Sequence, residues 1–341
     1  MEILKDHGAG RLVGAFCNSD MKEGGESAMV DQVRLLPPIR CAEDVPKPLF
    51  VIASMYHEDI LDAIRSDPAL KNIPTLSFAD HFSALDQINN YNICFGGKGY
   101  RASRQQMYWE FFDYYANEFS CHRDDFRQKL RKTLDLLSDD VSRQIVVGRL
   151  NFFLTGTCDY LADTEVTSWR KEYFGAAFSV SDNETYIDCG AYIGDTVDLF
   201  LQKTHGKYKK IIAIEPISAC FSKLEDFIRT RDLKNAVALQ GLVGSADRDG
   251  QDGARFVSLD RFYSERPTLI KMDIEGAELE ALKGAERVIS EQSPKLAVCL
   301  YHKPEDIFEI IDYLHSINGS YKFMIRQHLG LMFDMVLYAW K

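Results

Sequence analysis

Several things are missing from this sequence, and each absence removes a class of protein. No two of the eight cysteines form a C-x-x-C pair: Cys17, Cys41, Cys94, Cys121, Cys158, Cys189, Cys220 and Cys299 are dispersed, which excludes a zinc ribbon or a dithiol redox motif. A chain of 341 residues with 46% hydrophobic content needs no disulfide framework, and Cys94 and Cys299 stand among apolar neighbours as small buried residues do. That cysteine usage fits a reducing compartment, so a cytoplasmic location is expected. No apolar run approaches about 18 residues, so no transmembrane helix is expected. The opening Met1 to Asp6 lacks the apolar core of a secretion signal. Long Lys/Arg runs are also missing, and the formal net charge is −11. Sequence-independent binding of nucleic acid or of an anionic membrane requires a basic face, so neither is an expected partner.

The length predicts two domains, and the pattern divides into three regions. Residues 1–100 read as a small Rossmann-like α/β domain. Leu12 to Phe16, Leu49 to Ala53 and Ile73 to Leu76 are short apolar runs of the buried parallel-strand kind, with helical spacing from Glu58 to Ser66 between the last two. Residues 101–180 are a helical connecting region, with aromatics crowded between Gln105 and Phe119 and a 3–4 spacing through Phe126, Leu130, Leu134 and Leu137. Residues 181–341 alternate strand and helix and end in two strands that read as antiparallel between Tyr321 and Trp340. The fold class is α/β: a doubly wound, mostly parallel sheet with a smaller N-terminal α/β domain.

Ligands of such sheets bind beyond the carboxyl ends of the strands, where strand order reverses. Three predicted strand ends carry acids: Asp188, Glu215 and Asp273. After the first comes Cys189-Gly190-Ala191-Tyr192-Ile193-Gly194-Asp195-Thr196. Gly190 lets the backbone turn sharply, and Gly194 allows close packing where a helix begins. Tyr192 occupies the place of the middle glycine in a G-x-G-x-x-G fingerprint, which disfavours a dinucleotide pyrophosphate. Asp188 points the same way, because an anion there suits the ammonium of a methionine moiety and opposes a diphosphate. Glu215, 21 residues beyond Gly194, can accept the ribose hydroxyls of an adenosine cofactor.

The stretch Ile187 to Thr196, the stretch Val257 to Phe262 and above all Ile270-Lys271-Met272-Asp273-Ile274-Glu275-Gly276-Ala277-Glu278-Leu279-Glu280-Ala281-Leu282-Lys283-Gly284-Ala285 resemble the FkbM-type methyltransferases. That family's K-x-D-x-E-G-x-E pattern followed by L-K-G-A is intact here, and Lys171 to Phe174 resembles the lead-in of some members. The resemblance implies S-adenosylmethionine as donor and transfer to oxygen, often of a sugar or polyketide. Carried over by position, Asp188, Gly190, Gly194 and Glu215 hold the cofactor, with Gln240 or Leu242 near adenine. Ala191, Tyr192, Asp195, Thr196 and Asp273 complete the expected cofactor site.

Methyl transfer to an alcohol asks the protein to position the acceptor, exclude water and remove one proton. Asp273 and Glu275 are the carboxylate candidates for that proton. His302, at the end of the next predicted strand, is the imidazole candidate, since histidine titrates near neutral pH. Glu278 and Glu280 read simply as negative charge at the positive end of a helix. Asp273 with Glu275 is too small a ligand set for a divalent metal, and no metal is assigned. The N-terminal region lacks the first strand and glycine loop of a cofactor-binding Rossmann unit, so a substrate-binding or interaction role suits it as well. Phe95 to Gly99 lacks P-loop spacing and reads as a turn.

The leading reading is an S-adenosylmethionine-dependent O-methyltransferase acting on a small-molecule or glycan acceptor, as a monomer or an oligomer. A non-catalytic cofactor-binding or scaffold protein is the second reading. An NAD-dependent oxidoreductase is the third, disfavoured by Tyr192.

Overall fold

The computed structural model describes residues 29–30, 33–34, 50–52, 57–77, 98–155, 167, 171–250, 254–328 and 335–341. The chain divides into two compact units, Met1–Ser83 and Ala84–Lys341.

In the first unit, β1 (Met29–Val30) and β2 (Val33–Arg34) form an antiparallel hairpin. Strand β3 (Phe50–Ile52) leads through α1 (His57–Ser66) to β4 (Thr75–Ser77), which lies parallel to β3. This is the strand-helix-strand unit that the apolar runs predict. The predicted strand Leu12 to Phe16 falls outside the described residues. So do residues 95–97 of the glycine-rich stretch, whose Lys98 and Gly99 open a helix.

The second unit begins with three helices, α2 (Lys98–Cys121), α3 (Arg123–Leu136) and α4 (Asp140–Thr155). Then follow β5 (Thr185–Cys189), α5 (Asp195–Lys203), β6 (Lys210–Glu215), α6 (Ser218–Thr230) and β7 (Ala236–Gln240). A small three-stranded sheet of β8 (Leu242–Val243), β9 (Arg248–Asp249) and β10 (Arg255–Val257) interrupts the alternation. The chain continues with β11 (Leu269–Met272), α7 (Glu278–Lys283), α8 (Glu286–Gln292), β12 (Lys295–Cys299), α9 (Asp306–Ile317), β13 (Lys322–Gln327) and β14 (Met335–Trp340).

Seven strands form one sheet in the order β13-β14-β12-β11-β5-β6-β7. The five from β7 to β12 are parallel, and β14 and β13 are antiparallel additions at one edge. Every residue of β5 and β11 is buried, as near-continuous apolar runs in a sheet covered on both faces require. Strand order reverses between β5 and β11, so the ligand crevice of this fold lies where those two strands end.

The helices before the sheet belong to the same compact unit as the sheet. Phe111, Tyr115, Phe126 and Phe153 are buried together, with Phe126 packed edge-on against Phe308 of α9. Asp139 accepts the amide of Ser142 at 2.8 Å and the guanidinium of Arg326 on β13 at 2.7 Å. Phe111 and Tyr115 of α2 are therefore core, as their helical spacing predicts, whereas Phe119 is 40% exposed. The single helix that the spacing of Leu279, Leu282 and Val288 predicts is two, α7 and α8, broken at Gly284. A Cβ there would lie 2.1 Å from the carbonyl oxygen of Gly244, so the backbone of the small sheet occupies the space.

Candidate active site

Register explains the centre of the site. In the sheet, Asp188 of β5 sits directly opposite Lys271 of β11. Directly opposed residues project from the same face with their Cβ atoms close together. Their other neighbours in that row are Ala213 on β6 and Ala297 on β12, small side chains that leave room for a lysine. Lys271 fills it: its Nζ lies 3.1 Å from Asp188 Oδ1 and donates to the Gly190 carbonyl at 2.8 Å. Both side chains are wholly buried, at 1% and 0% exposure. Burial works against the Lys271 charge, but Asp188 and Asp273 outweigh it and raise the ammonium above its ordinary pKa. Asp188 also accepts the hydroxyl of Thr196 on α5. The sequence reading placed Asp188 against the ammonium of a ligand. The structure gives that place to Lys271, and the pair fixes the loop from inside.

That loop is tightly held. Gly190 has φ +79°, and a Cβ on it would fall 1.9 Å from the carbonyl oxygen of Asp273. The amides of Gly190 and Ala191 both donate to the carbonyl of Ile214, at 3.0 Å each. Tyr192 has φ +45° and is 53% exposed. Gly194, at φ +97°, stands before α5, and Asp195 and Thr196 form its first turn.

Glu215 is 4% exposed and clamps two loops. Its Oε2 accepts the amide of Tyr192 and its Oε1 the amide of Ile217, both at 2.9 Å. Tyr192 and Ile217, the latter 60% exposed, are thus fixed on either side of this carboxylate as bare apolar surface. Gln240 is exposed at the end of β7 and donates to Ser218 Oγ at 2.7 Å, close in sequence to Ile217. Leu242 is 38% exposed.

A second group of charges forms where β11 and β12 end. Asp273, 27% exposed, accepts the hydroxyls of Tyr173 and Tyr301, each at 3.1 Å. Burial pushes its pKa up, but Lys271, His302 and the two hydroxyls prevail, and the carboxyl is held below its ordinary value. His302 is 6% exposed, with Nδ1 2.8 Å from Glu278 Oε1 and Nε2 3.4 Å from Asp273 Oδ1 and 3.7 Å from Glu275 Oε2. Burial opposes its charge, but Glu278, Asp273 and Glu275 together raise it to about 9. The three carboxylates around it thus favour the charged ring. Glu275, 92% exposed, has φ +55°, and Gly276 follows with φ +93°. A non-glycine residue in that region costs of order 1–3 kcal/mol. Tyr173, at φ +58°, is a further case in the same cluster.

Glu278 requires a correction. It is not surface charge at a helix end: it is 0% exposed and accepts the amide of Ile274 at 2.9 Å as well as binding His302. Glu280 is exposed, as expected. Lys271, Tyr173, Tyr301 and Glu278 were not assigned roles from the sequence. The one signal for Lys271 and Glu278 was their place in the K-x-D-x-E-G-x-E pattern, and Tyr301 had none.

Residues 188–323 match the family model described as Methyltransferase FkbM domain. No curated protein matches the chain. Among solved structures, the crystal structure of methyltransferase FkbM from Methylobacillus flagellatus KT aligns with a TM-score of 0.62 and 25% identity, over 91% of this chain and 79% of that one. Precorrin-6y C5,15-methyltransferase from Geobacter metallireducens GS-15 aligns at a TM-score of 0.34 and 12% identity, over 48% of this chain and 82% of that one. An rRNA methylase from Streptococcus thermophilus aligns at 0.35 and 16%, over 48% and 89%. The segment holding the buried ion pair, the Glu215 clamp and the His302 cluster thus matches the FkbM methyltransferase domain.

Proposed function

We propose that this chain transfers the methyl group of S-adenosylmethionine to a hydroxyl oxygen of a sugar, glycan or related metabolite. The observation that carries the donor assignment is the Glu215 clamp at the crevice. Each of its carboxylate oxygens accepts one backbone amide and keeps lone pairs for a ribose hydroxyl. The exposed side chains of Tyr192 and Ile217 beside it offer apolar surface to an adenine. The tight Gly190 turn brings backbone, with no side chain intervening, to the crevice floor.

S-adenosylmethionine supplies a methyl already activated by its sulfonium. As the new O–C bond forms, the S–C bond breaks and its electrons stay on sulfur. What remains for the protein is to hold the acceptor in line and to take the hydroxyl proton. Asp273 is suited to that proton, being a partly exposed carboxylate oriented by two tyrosine hydroxyls. His302 then acts as a positioning residue in contact with Asp273 and Glu278, and Glu275 stands at the rim.

Calorimetry with S-adenosylmethionine, S-adenosylhomocysteine and NAD tests the donor. Binding of the two adenosyl ligands is expected, and binding of NAD alone would overturn the reading. Mass spectrometry of a hydroxylated acceptor panel incubated with isotopically labelled donor tests the oxygen, and label found only on nitrogen or carbon would reject it.

A further inference from the structure

The cluster at the ends of β11 and β12 carries more acid than its own bases balance. Asp273, Glu275 and Glu278 converge on the single imidazole of His302. Ligand atoms of Asp273, Glu278 and His302 all lie within 4.8 Å of one another. Two ligands on opposite sides of a first-row cation, each about 2.1 Å from it, stand about 4.2 Å apart, so closing on an ion asks only for small side-chain movements. An independent observation points the same way. Glu278 has no exposed surface, and while its Oε1 is bonded to Ile274 and His302, its Oε2 is buried with no hydrogen-bond partner. A buried carboxylate oxygen without a donor is costly, and a cation satisfies it. Asp306, at the start of α9, adds a further buried acid whose Oδ2 lacks a partner. Lys271 is already spent on Asp188 and the Gly190 carbonyl, and Lys303, beside His302, offsets only part of the Asp306 charge.

We infer that Asp273, Glu278 and His302 form a divalent-cation site, with Glu275 closing it from the solvent side. One imidazole nitrogen with carboxylate oxygens suits Mn²⁺, Fe²⁺ or Zn²⁺ better than an ion that prefers oxygen throughout. Tyr173 and Tyr301 orient Asp273 through its carboxylate, as outer partners of metal ligands do. The site stands beside the crevice where the acceptor must sit. Its role there, to hold the acceptor oxygen, rests on the proposed methyl transfer; its existence as a binding site does not.

Electron paramagnetic resonance of Mn²⁺ added in equimolar amount to the full chain, with no donor or acceptor present, tests the site. Loss of most of the free Mn²⁺ signal is expected. Its persistence would overturn the inference. His302→Ala and Glu278→Gln should each weaken Mn²⁺ binding by about tenfold or more, whereas Glu291→Gln, on the exposed end of α8, should leave it unchanged. Equal binding by wild type and both site variants would also overturn it. Should His302→Ala fail to fold by circular dichroism, His302→Gln provides the same comparison. Calorimetry with S-adenosylmethionine on the same preparations keeps the two ideas apart: donor bound with Mn²⁺ free rejects the cation site alone, and Mn²⁺ bound with no donor bound rejects the methyl-donor reading alone.

Discussion

Two charged clusters stand a few residues apart at the same end of one sheet, and they are built on opposite plans. Asp188 and Lys271 pair one acid with one base, in register, with no exposed surface. Asp273, Glu275, Glu278 and His302 set three acids around one base, at exposures running from 0% for Glu278 to 92% for Glu275. The first is closed and balanced, so it can only hold the loop in place. The second is open and unbalanced, so it has electrostatic work left for a ligand. Two ionic groups at one end of a sheet thus need not share a role, and what separates them is stoichiometry and access to solvent.

Removing one partner of the closed pair should give the largest effect on the fold. Lys271→Met leaves Asp188 buried and unpaired, at an expected cost of about 3–5 kcal/mol in urea unfolding. The double variant Asp188→Leu with Lys271→Met should recover most of that loss, because a hydrophobic replacement of both partners is often neutral. Failure of the double variant to recover would mean the pair does more than hold the loop. In the open cluster, His302→Ala should cost about 10²-fold in turnover with donor affinity preserved; a matching loss of donor affinity in calorimetry would merge the two clusters functionally. Glu215→Ala should weaken S-adenosylmethionine binding by about 10–100-fold, the loss of hydrogen bonds to a charged group. Unchanged affinity would remove Glu215 from the donor site.

The pH response should be smaller and should separate the clusters again. His302 has a folded pKa of about 9, above its ordinary value near 6.5. Its contribution to stability is therefore complete below about 6.5 and is lost as pH rises through about 9. Asp306 is raised by burial and then by Glu278 to about 7, so its contribution is complete below about 4 and is lost as pH rises through about 7. Unfolding free energy measured from pH 4 to pH 9 should fall across both windows. Asp306→Asn should flatten the lower one and His302→Gln the upper one, and a profile unchanged by either would contradict these assignments.

Much of the frame was legible beforehand. The antiparallel pair at the C-terminus, read between Tyr321 and Trp340, is there as β13 and β14. Gly190 was marked as a turn residue and Gly194 as a point of close packing at a helix start; both have positive φ, and a Cβ on Gly194 would fall 2.7 Å from the Phe227 ring. The errors share a cause. Asp188 and Glu278 were read from what each residue type does in isolation, whereas their behaviour depends on partners far away in sequence. Burial could not be read for Glu278, because an acid in the first turn of a helix looks the same in sequence whether it faces water or a histidine 24 residues on.

The sequence by itself determined the alternation of strand and helix, the acids at three strand ends and the intact motif from Lys271 to Glu278, since these depend on local period and spacing. Only the tertiary structure decided which acids meet which bases. Register placed Lys271 opposite Asp188, and the return of β12 beside β11 brought His302 to Asp273 and Glu278. Charge is written residue by residue, but its strength and protonation are set by distance and burial, and those exist only once the chain has folded.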